Sequence, residues 1–136
     1  MKLIVLATFL YLVPFCVFSQ AHSKAELRYK PKTLDEAVLQ LEKLHHDTTK
    51  KQIIALTEDQ FKLYSHLEMG MWIRNNWKLW SGGKLSKYFK SIGVFHPDDM
   101  SGIILTSYYR HLKGQDRELE KQVKCYQDFW KVSKDR

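Results

Sequence analysis

The stretch "VFHPDDMSGIILTSYYRHLKG", residues 94–114, decides the fold class, because it frames a long apolar run with the start and stop signals of one helix. Pro97 suits a first helical turn, where its missing N–H would have had no intrahelical partner. Asp98 and Asp99 set negative charge at the positive end of the helix, and Gly114 can take the left-handed conformation that ends it. His96 then falls at or before the cap.

The same grammar recurs on both sides. Upstream, Thr33 with Glu36 forms a capping box, Asp35 adds first-turn charge, and Leu34, Ala37, Val38, Leu41 and Leu44 follow at helical spacing, predicting a helix from about Leu34 to His46. Asp47 or Thr48 is expected to cap a short helix carrying Ile53, Ile54 and Leu56. Thr57 with Gln60 opens another before Phe61, Leu63, Tyr64 and Leu67. Gly70 is a candidate break before "MWIRNNWKLW", residues 71–80, with Glu68 or Met69 as the alternative start, and "SGG" is expected to stop that segment.

"KLSKYFKSIG" reads as a further helix with Leu85, Tyr88, Phe89 and Ile92 inward and Gly93 closing it. From Asp116 to about Ser133, Leu119, Val123, Tyr126 and Trp130 make a narrow stripe, with Phe129 and Val132 to one side. No alternation of β-branched residues argues for a sheet. The expected fold is all-α, a single compact domain of five to seven short and medium helices. A chain of 136 residues, 44% hydrophobic, can fill one core and asks for no second.

The N-terminus has a different character. Residues 1–19 carry Lys2, an apolar run from Leu3 to Phe18 and small Ser19, the pattern of a secretory signal peptide cut after Ser19 or, second, after Ala21. A retained membrane anchor is the rival, and Pro14 with the small residue ending the run argues for cleavage. Lipidation at Cys16 does not fit, since bulky Phe15 precedes it. Residues 20–32 read as a flexible leader, 33–114 as the helical domain, and 115–136 as a C-terminal amphipathic helix. The destination is then the periplasm or the exterior, with no stable membrane insertion after cleavage.

Cleavage would remove Cys16 and leave Cys125 as a lone thiol, expected buried and inert. It would also leave 21 Lys and Arg against 15 Asp and Glu, a formal charge of +6 where the whole chain has +7. The basic residues are scattered, and an exported protein is out of reach of cytoplasmic nucleic acid, so nucleic-acid binding is not the expected role. Attraction to an acidic partner or an anionic envelope surface is the modest alternative to plain solvated helix faces.

Two places could carry function. At 100° per residue from Trp72, Asn76 falls at about 40°, Trp80 at about 80° and Trp77 at about 140°, while Arg74, Lys78 and Asn75 point away. Asn76 is thus expected on the packing face, where an amide needs partners. It either fixes how helices cross or joins Trp72, Trp77, Trp80 and Arg74 in a candidate ligand site. His96, Asp98 and Asp99 form the second place, a helix entrance that could alternatively serve as an acid or metal site. His45 lies on an apolar stripe and is expected as a packed neutral imidazole. No dedicated metal site or cofactor motif is present, and Ser101, Ser107 and Cys125 lack any nucleophile motif.

The motifs "PKTLDEAVLQL", "GMWIRNNWKLWSGGKLSKYF" and "GVFHPDDMSGIILTSYYRHLKG" span about 84 residues from Pro31 to Gly114. On these the chain resembles a domain of unknown function found in small bacterial proteins, exported or cytoplasmic. The resemblance implies one compact helical domain ending near Gly114 and transfers no catalytic residue. It directs attention to Trp72, Asn75, Asn76, Trp77, Trp80 and His96 to Asp99, and suggests that Asn76 or Arg74 bonds the turn at residues 95–99.

The expected function is a non-enzymatic binding or interaction module of the bacterial envelope, contacting a protein or glycan. The alternatives are a hydrolase or metal-dependent enzyme built on His96, Asp98 and Asp99, and an inhibitor or immunity-like protein. Oligomeric state is left open by the sequence.

Overall fold

The computed structural model describes residues 22–134. The expected signal peptide, its expected cleavage sites and Cys16 lie outside them. Among the described residues the chain is all helix and turn. The helices are α1 (Lys24–Arg28), α2 (Leu34–Leu44), α3 (Asp47–Ala55), α4 (Glu58–Ser65), α5 (Met71–Asn76), α6 (Lys84–Ser91), α7 (Pro97–Leu112) and α8 (Leu119–Lys134). A π-helical turn, His66–Gly70, joins α4 to α5 without a break, so the eight segments make seven rods.

Local chemistry sets most boundaries. The Thr33 hydroxyl accepts from the Glu36 N–H at the start of α2, and Thr57 with Gln60 closes a full capping box at α4. The cap of α3 is His46, one residue before the expected Asp47 or Thr48, and α2 stops at Leu44 so that His45 and His46 turn the corner. Inside the segment read as a leader, Ser23 and Glu26 form a capping box for the short α1. Gln40 Nε2 donates to the Glu26 carbonyl, Lys30 Nζ donates to the Asn76 carbonyl, and the Tyr29 hydroxyl and Lys32 N–H both donate to Glu36 Oε2, so this segment is tied to the domain.

Helix α7 runs through the middle, touching α2 to α6, the π turn and α8. Nine of its sixteen residues are buried, from Met100 to Tyr109, as suits a helix surrounded by others. Phe61, Met69, Ile73, Trp77, Leu41 and Phe89 fill the space around it. Burying such large side chains contributes roughly 1.5–3 kcal/mol apiece, which is what holds the rods together.

The π turn has a geometric cause. Phe61, Ser65, Met69, Ile73 and Trp77 are all buried and lie four residues apart. On an α-helix each such step carries the side chain about 40° further round, which would swing the stripe by about 160° and out of the core. A wider turn takes part of that rotation back. Gly70 sits inside it and breaks nothing. Its missing Cβ would lie 2.9 Å from Arg74 Nη1, so the glycine makes room for the guanidinium.

Two further expectations are corrected. Helix α5 ends at Asn76, before "SGG", because Lys78 adopts a left-handed φ of 55°. Cys125, expected buried, is exposed on α8. Only Val123 of that helix is buried, so its stripe docks on one side and leaves the thiol in solvent.

Candidate functional site

Because the helix stops at Asn76, the four aromatic-segment residues part company. Trp77 is fully buried and meets Trp72 edge to face at 5.7 Å. The Asn76 amide is half-buried and donates back to the Trp72 carbonyl at 2.9 Å, inside its own helix. Trp80, beyond the end, is 58% exposed, and Leu79 takes the buried place instead. Arg74, expected to point away, is buried: the π turn shifts the phase and brings it onto α7.

There Arg74 meets the acidic turn. Its Nε lies 3.1 Å from Asp98 Oδ1, and Nη1 donates to Ser101 Oγ at 2.9 Å. Of the two residues expected to reach residues 95–99, Arg74 makes the link and Asn76 does not. Asp98 also presents its N–H to His96 Nδ1 at 3.2 Å, which caps α7. Asp99 Oδ2 accepts from the Trp130 indole N–H at 2.7 Å, tying α8 across the turn. Every member of the alternative acid set thus holds a structural bond, and among the described residues no group of three His, Cys, Asp or Glu side chains is placed to hold a metal ion.

The other ionisable pairs brace the frame. Arg110 of α7 forks onto Glu58 at 2.8 and 3.0 Å, and this hydrogen-bonded carboxylate raises its pKa. Burial holds the His45 imidazole down at a pKa of about 4, with Lys50 and His22 adding like charge, and its Nδ1 lies 2.8 Å from the Tyr108 hydroxyl. That hydroxyl is itself pushed up by burial. His45 is a packed neutral ring.

The accessible chemistry lies one step over. Between the turn at residues 93–96 and α8 is a groove of about 490 Å³, with Val94, Phe95, Tyr126 and Trp130 on its apolar surface and Lys131 and Lys134 on its rim. His96 stands between two indoles, 6.0 Å from Trp80 and 5.5 Å from Trp130. Around this mouth Phe95 is 70% exposed and Phe129 61%. Gly93 and Gly102 permit the close approach of α8: a Cβ at either would run into Gln127 or the Tyr126 hydroxyl.

Of the residues singled out in the sequence, the structure places His96 and Asp99 in the lining of this groove, with Trp80 beside the His96 ring. Trp72, Asn76, Trp77 and Arg74 belong to the packing beneath. Phe95, Tyr126, Trp130, Lys131 and Lys134 went unremarked as site residues, although a large apolar side chain in a turn and a tryptophan at the end of an amphipathic stripe were visible signals. A second hollow, of about 390 Å³, lies between α2 and α3 and is lined mostly by charged and histidine side chains.

No curated protein and no solved structure matches the chain. A family model does match, over residues 30–112, which takes in the π turn, the aromatic segment and the acidic turn but stops before α8. The chain belongs to the family described as Domain of unknown function (DUF6794).

Proposed function

We propose that this protein is a non-enzymatic binding module of the bacterial envelope, holding a partner protein in the groove between the turn at residues 93–96 and α8. The observation that carries the reading is a cluster of solvent-facing aromatics: Phe95 and Trp130 line one apolar hollow, Phe129 packs edge to face on Trp130, and Trp80 stands against the His96 ring. A small domain rarely leaves such rings together in water without a use for them, and a groove of a few hundred Å³ is of ligand size. Export is part of the proposal and rests on the sequence of residues 1–19.

The alternative of acid or metal chemistry at His96, Asp98 and Asp99 loses support because capping, the Arg74 pair and the Trp130 bond already occupy those groups. Site-directed photocrosslinking in the producing cell tests the binding reading. A photoreactive residue at Phe95 or Phe129 should trap the same discrete partner, while one at Leu63, equally exposed on α4, should not. Equal trapping at all three positions, or trapping at Leu63 alone, would refute it.

A further inference from the structure

We infer that the occupant of the groove is an acidic peptide segment of a partner protein, anchored by an aromatic or large aliphatic side chain; this rests on the groove being the ligand site. The apolar requirement comes from the hollow itself, whose surface is made by Val94, Phe95, Tyr126 and the Trp130 ring. The acidic requirement comes from what stands beside it. Residues three and four apart on a helix are neighbours, so Gln127, Trp130, Lys131 and Lys134 lie along one side of α8. The apolar floor therefore runs into a basic end.

Those ammonium groups are available. Among the described residues Lys131 pairs only with Asp128, at 3.6 Å and with both side chains well exposed. Lys134 forms no ion pair among the described residues. Three polar groups of the lining that could instead receive the hydroxyls of a neutral glycan each have one atom engaged within the fold. Asp99 accepts from Trp130, Gln127 Nε2 donates to the Gly93 carbonyl at 3.3 Å, and His96 Nδ1 accepts from the Asp98 N–H. The surface left to a ligand is mostly aromatic, with Lys131 and Lys134 at one end, and the single acid of the lining, Asp99, is held by the Trp130 indole. The formal charge of +6 that cleavage would leave, 21 Lys and Arg against 15 Asp and Glu, adds a field that draws an acidic segment in. The chain's own residues 1–19 contain no Asp or Glu and so do not supply the complement.

The test is selection of the full-length chain against a random displayed-peptide library, followed by titration of the selected peptides into wild type, the Lys131→Glu/Lys134→Glu double variant and Phe95→Ala. All three substituted side chains are exposed, so the fold should be kept. Enrichment of acidic peptides with an aromatic or large aliphatic residue is expected. Their binding should weaken roughly tenfold or more in the double variant, and also on raising salt or exchanging the peptide's Glu for Gln. Neutral or basic peptides that depend on Phe95 but not on the lysines would overturn the acidic assignment and leave the groove standing. Selected peptides indifferent to all three substitutions, or no selection at all, would overturn both.

Discussion

Acidification should destabilise this protein through His45. The ring is buried, bonded to Tyr108, and holds its proton only below a pKa of about 4, against 6.5 for the free side chain. The unfolded chain therefore takes up a proton that the folded chain refuses, and stability falls with pH between 6.5 and about 4. The full contribution is present above 6.5, and below about 4 the loss levels off. Integrating the proton uptake with these values gives a loss of about 2 kcal/mol between about pH 7 and about pH 5, a sizeable share of the stability of a small domain. The assay is urea unfolding across this range for wild type and His45→Gln, an amide that can still meet the Tyr108 hydroxyl. The variant should be less stable near neutrality yet flatter with pH by about 2 kcal/mol over the interval. The other five histidines and the exposed carboxylates are common to both chains and drop out of the difference. Parallel pH profiles would refute the assignment of the sensitivity to this ring.

Other expectations follow from single contacts. Asp98→Ala strands the buried Arg74 guanidinium and weakens the first turn of α7, so it should cost about 2–3 kcal/mol, whereas Arg74→Met leaves only a half-exposed carboxylate and should cost nearer 1 kcal/mol; chemical denaturation gives both values, and the reverse order would contradict the account. Gly102→Ala should push Tyr126 off α7 and cost about 1–2 kcal/mol, and adding Tyr126→Phe should recover most of it; additive losses in the double variant would mean the two do not touch as described. The Ser86 hydroxyl is buried without a hydrogen-bond partner, so Ser86→Ala should leave stability unchanged or raise it by up to about 1 kcal/mol, read as the shift in melting temperature; a clear loss would show a bond to that hydroxyl.

Much of the fold was legible because its helix starts are written in local chemistry. Thr33, Thr57 and Pro97 act within three residues of themselves, and such signals survive whatever the rest of the chain does. The aromatic segment was harder, since a helical wheel assumes a constant period. The π turn changes the period before residue 71, and Lys78 ends the helix before the wheel does. Arg74 consequently moved from the expected outside to the inside, and Trp80 made the opposite move. Cys125 was misread for a related reason: a stripe tells which side of α8 docks, not how little of the helix that docking covers. The groove depends on two segments some thirty residues apart meeting across Gly93 and Gly102, and nothing local encodes that meeting.

The shallow seating of α8 separates what the protein must conserve from what it can change. One wall of the groove belongs to the segment shared with the family, while the wall that carries Trp130, Lys131 and Lys134 lies beyond it and contributes a single buried side chain, Val123, to the core. Substitutions on the outer turns of α8 should cost little folding free energy, yet each would alter the shape or charge that the proposed partner would meet. A chain that kept residues 30–112 and exchanged the helix after them would fold around the same α7 and offer a different handhold. The proposed specificity can drift faster than the architecture, because the two are written in different parts of the sequence.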